Sequence, residues 1–224
     1  MGVVLVHGAY ADGSSWSKVI PGLQSAGIAV TSVQNPLTSL ADDVASVRRV
    51  LDEQKEPVVL VGHSYGGAVI SQAGEHPLVS SLVYLSARAP EPDEDYGALA
   101  ARFPAPPANA GLIYRDGFGF LTEDAFLHDF ANGVPKREAR VLYACQGRIA
   151  EGLFAQRTTV AAWQTRPTRY LITTQDRTTA PELQAYVAQR MEAHVEEIAS
   201  GHLSMVSHPG EVERFILGAL RELA

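Results

Sequence analysis

The sequence has a single cysteine, Cys145, in 224 residues, which excludes an internal disulfide. We expect this thiol to be a small buried hydrophobe rather than a nucleophile. Basic residues are also scarce. The 18 Lys and Arg against 25 Asp and Glu leave a net charge of -7, which argues against a nucleic-acid-binding surface. No apolar run approaches the length of a membrane span, so we expect no membrane partner.

Signals for export and for cofactors are missing as well. The opening apolar run, Val3 to Val6, is too short for a signal peptide and has no basic residue before it, which predicts a cytoplasmic protein. Gly8 and Gly13 lack the third glycine of a dinucleotide-binding loop. The histidines and acids show no close spacing typical of metal ligands. The sequence therefore predicts no cofactor and no metal ion.

The most informative motif that is present is Gly62-His63-Ser64-Tyr65-Gly66. This G-x-S-x-G spacing is typical of a nucleophile elbow, a sharp strand-to-helix turn that exposes a serine hydroxyl above a sheet. The glycines allow backbone segments to pass closely beside the strained serine. An apolar run precedes the motif and a helical stretch follows it, as an elbow requires. We therefore predict that Ser64 is a nucleophile.

Apolar runs of strand length alternate with amphipathic helical stretches along the chain. This alternation predicts an α/β protein with a mostly parallel six-stranded sheet and helices on both faces. Ser39 and Asp42 resemble a capping box at the start of one helix, and Pro181 and Pro209 suit the first turns of two others. The predicted strands are 3–6, 28–33, 57–61, 81–85, 169–174 and 194–198.

Residues 86–168 interrupt this alternation, because they contain no strong sheet strand. A crossover needs far fewer residues, so we expect an insertion with its own structure. An insertion that leaves the carboxyl end of a strand lies over the face where ligands of α/β sheets bind. We therefore predict a core formed by residues 1–85 and 169–224, with a cap formed by residues 86–168.

A serine nucleophile needs a base, and seven histidines compete for that role. His202 follows the last predicted strand and precedes the final helix, at the same edge of the sheet as Ser64. His63 adjoins Ser64 on a strand, so we expect its side chain to point away into packing. His7 ends the first strand and is expected to be structural. The sequence favours His202 as the base.

The base needs an orienting acid, and Asp176 follows a strong strand directly. Asp93 and Asp95 are the reserve candidates, because they follow the preceding sheet strand by a longer route. The expected oxyanion donors are the backbone amides of Tyr65, at the start of the elbow helix, and of Ala9, in the loop after the first strand.

Together these residues resemble the serine α/β-hydrolase superfamily, and within it the compact branch of methyl esterases, hydroxynitrile lyases and bacterial relatives. The resemblance covers nearly the whole chain and is weakest in the cap. It implies a Ser64-His202-Asp176 triad and a six-stranded parallel sheet. The lyases of this branch carry a threonine where this chain has Gly8 and a lysine where it has Leu203, so the resemblance favours an esterase.

The sequence thus predicts a hydrolase that cleaves a small to medium, largely apolar carboxylic ester through an acyl-enzyme. Lactones and thioesters are left open as substrates. Two other classes of function are also left open: a lyase that uses the triad as acid and base, and a receptor-like binding protein with negligible turnover. The expected partner is a small-molecule ester, and a homodimer is left open.

Overall fold

A computed structural model describes residues 1–223. A parallel sheet of six strands forms its centre, and a separate antiparallel sheet of three strands lies in the segment 86–168. The strands are β1 (Gly2–Val6), β2 (Ala29–Val33), β3 (Val58–His63), β4 (Val79–Leu85), β5 (Leu112–Arg115), β6 (Phe118–Leu121), β7 (Ile149–Ala150), β8 (Thr168–Thr173) and β9 (His194–Ile198). The large sheet has the order β2-β1-β3-β4-β8-β9, which confirms the predicted fold class.

Helices cover the large sheet and connect its strands. The α-helices are α1 (Ile20–Ser25), α2 (Leu40–Asp52), α3 (Gly66–Ala73), α4 (Tyr96–Ala100), α5 (Glu123–Ala125), α6 (Lys136–Ala144), α7 (Pro181–Arg190), α8 (Ser204–Ser207) and α9 (Pro209–Glu222). A π-helix continues α5 over Phe126–Phe130, and 3-10 turns cover Gly13–Trp16, Pro107–Gly111, Leu153–Ala155 and Ala162–Gln164. The Ser39 hydroxyl accepts from the Asp42 amide at 3.0 Å, as expected of the predicted cap of α2.

All six predicted core strands are present, with their ends moved by at most two residues. Every residue of β1 and β3 is buried, because these strands lie inside the sheet with helices on both faces. The edge strands β2 and β9 are more exposed. Among the carboxyl ends, the predicted and observed positions differ most for β3. This strand continues through His63, because that residue still pairs with Leu85 of β4.

The strand register brings the carboxyl ends of the central strands to one edge of the sheet. Val6 of β1 lies beside Gly62 of β3, and β8 ends at Thr173 on the other side of β4. In parallel sheets the loops at this edge form the ligand site. The loops that follow β1, β3, β4, β8 and β9 therefore converge there.

The segment 86–168 contains the hairpin β5-β6 with β7, together with short helices. Cys145 ends α6 in this segment and is exposed, so the prediction of a buried thiol is wrong. The physical reason is that α6 lies on the surface and buries only Ala139. Sequence composition could not indicate which face of α6 is covered.

Within residues 1–223, no helix combines the length and the apolar composition needed to cross a membrane. The cytoplasmic location and the homodimer stay predictions.

The tight contact between the elbow and β1 gives a stability prediction. A Cβ on Gly66 would lie 2.7 Å from the Val6 carbonyl oxygen, which is backbone and cannot move aside cheaply. Gly66→Ala should therefore lower the free energy of unfolding by about 2 kcal/mol or more. Gly210→Ala is the matched control, because a Cβ at that position of α9 meets nothing within 4 Å and should raise stability by roughly 0.5 kcal/mol. Urea unfolding of both variants measures the difference, and equal effects would contradict the packing described.

Candidate active site

Ser64 lies at the apex of the turn between β3 and α3. Its φ is 53°, a left-handed conformation that is strained for a residue with a side chain. The strain is maintained by close packing, since a Cβ on Gly62 would lie 2.8 Å from the Gly66 carbonyl oxygen. Gly66 packs as closely against β1, since a Cβ on Gly66 would lie 2.7 Å from the Val6 carbonyl oxygen. The geometry is that of a nucleophile elbow.

His202 and Asp176 form a buried pair beside this turn. The His202 Nδ1 lies 2.7 Å from the Asp176 Oδ2, and both side chains are fully buried. Asp176 stands three residues after β8, and His202 stands four residues after β9, so adjacent strands bring them together. A buried imidazole–carboxylate bond of this kind fixes the ring orientation and places the proton on Nδ1.

The Asp176 carboxylate is surrounded by further donors. The amides of Thr178 and Thr179 donate to Oδ1 at 2.7 and 2.8 Å. The Gln184 side-chain amide donates to Oδ2 at 2.9 Å, and the Thr173 hydroxyl donates to the same oxygen at 2.8 Å. A buried carboxyl group is costly unless it is hydrogen-bonded, and both oxygens of this one accept hydrogen bonds. Sequence reasoning missed Gln184, because its place on α7 gave no sign that its side chain would turn toward the loop.

The other ring nitrogen of His202, Nε2, is buried and has no hydrogen-bond partner among residues 1–223. Phe130 and His63 pack against the ring, with ring centroids 5.4 and 4.6 Å away. Ser64 is next in sequence to His63, whose own ring contacts the His202 loop. The structure thus joins His202 to Asp176, but no hydrogen bond links Nε2 to the Ser64 hydroxyl.

His63 packs directly against His202. Its Nε2–H donates to the His202 carbonyl oxygen at 3.0 Å, and its Nδ1 has no partner within the described residues. Complete burial lowers the pKa of His63 well below its ordinary value, so the ring is neutral. The sequence predicted a packing role, and the side chain is fully buried. Its contact with the loop of His202 was missed, because that loop is distant in sequence.

The loop after β1 is held by His7. The His7 Nδ1–H donates to the Gly8 carbonyl oxygen at 2.8 Å, while Nε2 accepts from the Asn35 amide at 2.9 Å. Burial lowers the pKa of His7, which keeps this pattern of one donor and one acceptor. Ala9 follows directly, and its exposed fraction is 2%. His7 therefore has the structural role that was expected of it.

The side chain of Tyr65 is anchored by a buried carboxylate. Its hydroxyl donates to the buried Asp43 carboxylate at 2.8 Å, and the Leu37 amide donates to the same carboxylate. Burial raises the pKa of Asp43, and these two hydrogen bonds oppose that shift. Outside the helices and strands of the described chain, the amides of Ala9 and Tyr65 donate to no backbone carbonyl. Both remain available to a ligand beside Ser64.

A cavity of about 600 Å³ opens beside Ser64. Residues from the sheet edge and from the segment 86–168 line it together: Ala9, Tyr10, Ser64, Tyr65, Arg88, Gly97, Ala100, Ala101, Phe103, Ala105, Pro106, Ala108, Asn109, Leu112, Leu121, Phe154, Thr178 and Thr179. Most of these side chains are apolar or small. A cavity of this size suits a small to medium organic ligand.

The reserve acids lie apart from the His202–Asp176 pair. Asp95 caps α4 by accepting from the Ala98 amide at 2.9 Å, and it pairs with Arg157 at 3.1 Å on the surface. Asp93 is exposed. Within residues 1–223, no three His, Cys, Asp or Glu side chains form a group that could hold a metal ion.

Comparison with known proteins gives the family. Residues 3–215 match the alpha/beta hydrolase family, and the chain belongs to it. A carbendazim-hydrolysing esterase from Nocardioides sp. (strain SG-4G) is 33% identical over 124 residues, which are 49% of this chain and 51% of that protein. The match therefore spans about half the length of this curated relative.

Solved structures resemble the whole chain. Polyneuridine aldehyde esterase has a TM-score of 0.85 and 21% identity, and the match covers 98% of each chain. A pyrethroid hydrolase from Sphingobium faniae JZ-2 has a TM-score of 0.80 and 18% identity, and the match covers 97% of this chain and 96% of that one. At these identities the likeness shows the fold alone.

The two buried neutral histidines give a pH prediction. Burial lowers the folded-state pKa of His63 and His7, while the unfolded chain protonates near 6.5. Their contribution to stability is therefore present above pH 6.5 and lost as the pH falls below it. Protonation of the unfolded chain limits the loss to about 1.4 kcal/mol per histidine at pH 5.5, and His63, whose pKa burial lowers further than that of His7, should lose more of it.

Chemical unfolding at pH 7.5 and 5.5 tests this. His63→Gln should lose less stability between the two pH values than the wild type loses, because one of the two protonation sites is gone. His194→Gln is the control, because the His194 side chain is 52% exposed. This variant should lose as much stability between the two pH values as the wild type loses. If His63→Gln loses as much stability between pH 7.5 and 5.5 as the wild type does, His63 is not held neutral by burial.

Proposed function

We propose that this protein is a carboxylic-ester hydrolase that uses Ser64 as nucleophile, His202 as base and Asp176 as orienting acid. The observation that carries the proposal is the His202–Asp176 bond of 2.7 Å, next to a strained serine turn that opens on a cavity. A serine needs a base that is itself oriented by a third group. The free Nε2 of His202 is the atom that would take the serine proton.

The reaction proceeds in two steps. His202 removes the proton of the Ser64 hydroxyl as the oxygen attacks the ester carbonyl, and then donates that proton to the departing alcohol. Water, activated by the same ring, next attacks the acyl-enzyme and releases the acid and free Ser64. Asp176 stays ionised and stabilises the imidazolium that forms in each step. The missing Ser64–His202 hydrogen bond is compatible with this, because such bonds often tighten only when substrate is bound.

The backbone amides of Ala9 and Tyr65 hold the oxyanion. Both residues line the cavity with Ser64, and both are anchored by buried side-chain bonds, through His7 and Asp43 respectively. Donors held in place in this way need no reorganisation during the reaction. Removal of one such donor costs about 3 kcal/mol of transition-state stabilisation in a serine protease.

The substrate is a small to medium, largely apolar ester. The apolar lining of the cavity supports this, and residues 86–168 act as a cap because many of the lining residues belong to that segment. The names of the similar proteins, an esterase from Nocardioides sp. and polyneuridine aldehyde esterase among them, support ester hydrolysis as the chemistry.

An esterase fits better than a cyanohydrin lyase. Leu203, where the lyases carry a lysine, is buried and apolar, and a Cβ on Gly8 would lie 2.7 Å from the Ser64 Cβ. A threonine at Gly8 would thus crowd the nucleophile. The cavity has a positive charge even though this chain has no lysine at position 203, because Arg88 lines it.

Loss of either Ser64 or His202 should abolish most activity. Ser64→Ala and His202→Ala are each expected to reduce hydrolysis of 4-nitrophenyl acetate by at least about 1,000-fold, and the double variant should lose little more, because the triad acts as a unit. Circular dichroism checks that the variants fold. Near-native turnover by Ser64→Ala, or additive losses, would sink the assignment. Cleavage of mandelonitrile without any ester hydrolysis would instead show a lyase.

Asp176→Asn should reduce kcat far more than Asp95→Asn. Only Asp176 holds the His202 proton on Nδ1, and the corresponding change costs about four orders of magnitude in a serine protease. Asp95 is the matched control, since it is exposed and serves a helix cap. Steady-state kinetics on one activated ester compare the two variants. A larger loss for Asp95→Asn would show that the acid lies after β4.

A further inference from the structure

Arg88 brings a positive charge into the cavity of Ser64. Its backbone amide donates to the Ser64 carbonyl oxygen at 2.9 Å, so it follows β4 directly beside the elbow. Its side chain is only partly exposed and lines the same cavity as Ser64. The guanidinium carbon lies 4.0 Å from the Phe154 ring centroid and 5.3 Å from that of Tyr96.

Among the residues that the structure describes, no acidic side chain pairs with Arg88. Within residues 1–223 its guanidinium forms no ion pair and no hydrogen bond, whereas the two other well-buried arginines both have acidic partners. Arg169 pairs with Glu196 at 3.0 Å, and Arg190 pairs with Glu94 at 2.6 Å. An arginine withdrawn from water normally needs such a partner, because transfer of a charge out of water is costly.

The ionisable groups that face Arg88 are three tyrosines, namely Tyr10, Tyr65 and Tyr96. Burial raises the pKa of Tyr10 and of Tyr65, and it raises that of Tyr96 to about 12, so all three are neutral at ordinary pH. Burial also lowers the pKa of Arg88. The aromatic faces attract the cation but provide no hydrogen-bond acceptor in place of water.

We propose that Arg88 binds a carboxylate of the substrate, so that the preferred esters carry a second, free acid group on an otherwise apolar chain. The inference rests on the proposed ester hydrolysis at Ser64. A carboxylate suits a single guanidinium, because its two oxygens can accept two parallel N–H bonds. A phosphate would need further donors for its additional charge. The ligand would supply the counter-charge that the protein lacks.

Two esters of equal length test the preference. Monomethyl adipate carries a free carboxylate where methyl hexanoate ends in a methyl group, and kcat/KM is measured for both at pH 7.5. The wild type should favour monomethyl adipate. Arg88→Gln should lower the ratio of the two kcat/KM values by about 10- to 100-fold, the range expected when a hydrogen-bonded charge pair is lost. The ratio is used because a general loss of activity or stability affects both esters alike.

Two further variants separate specific binding from packing. Arg88→Lys keeps the charge but loses the planar fork, so its ratio should lie between those of the wild type and Arg88→Gln. Arg148→Gln is the matched control: Arg148 also lies over an aromatic ring, that of Phe120 at 4.4 Å, but it is exposed and lies outside the cavity. Its ratio should equal that of the wild type. An unchanged ratio in Arg88→Gln, with both esters still cleaved, overturns the proposal.

Binding gives a readout that does not depend on turnover. Calorimetry with Ser64→Ala should show monomethyl adipate binding, and the affinity should fall about 10- to 100-fold when Arg88→Gln is added. If the wild type cleaves neither ester and does not cleave 4-nitrophenyl acetate, but this binding difference is observed, ester hydrolysis is wrong and the carboxylate site stands. Equal binding with and without Arg88 shows that the site is wrong, whatever the esterase result.

Discussion

The site depends on one close contact, the approach of the turn after β3 to the end of β1. With no side chain on Gly66, the first turn of α3 lies against the Val6 carbonyl, and Ser64 is forced into its left-handed conformation. The loop after β1 lies next to the serine, since a Cβ on Gly8 would lie 2.7 Å from the Ser64 Cβ, and Ala9 and Tyr65 line the same cavity. A single added methyl group would separate these loops, because close-packed backbone has no room to yield.

The second determinant is the burial of a carboxylate, that of Asp176, whose two oxygens both accept hydrogen bonds. Asp176 and His202 have fully buried side chains, and the Asp176 carboxylate accepts hydrogen bonds from Thr173, Gln184 and the following loop. Such a network is rigid because breaking any member leaves a buried group unsatisfied. The ring of His202 is therefore held by parts of the chain that are distant from it in sequence. Its Nε2 is buried and has no hydrogen-bond partner among the described residues.

The cavity combines apolar walls with one poorly solvated cation. Arg88 contrasts with Arg169 and Arg190, whose charges are neutralised by nearby carboxylates. Stability alone would favour the same arrangement at Arg88, since an unpaired charge weakens the folded state. A carboxylate on the ligand would complete the pair beside Ser64. Apolar surface then provides affinity, and the charge selects among esters of similar size.

The sequence alone determined the sheet, the elbow at Ser64 and the roles sought for His202 and Asp176, because strand periodicity, the glycine spacing and chain order are local signals. It also determined that His7 and His63 would pack rather than react.

Tertiary structure decided the rest. The exposed position of Cys145, the turn of Gln184 toward Asp176 and the contact of His63 with the His202 loop depend on which elements meet. The unpaired state of Arg88 is the clearest case, since only the tertiary structure shows that no acidic side chain within residues 1–223 pairs with it. Pairing is a property of distance, and sequence spacing does not encode it across strands that are joined by long connections.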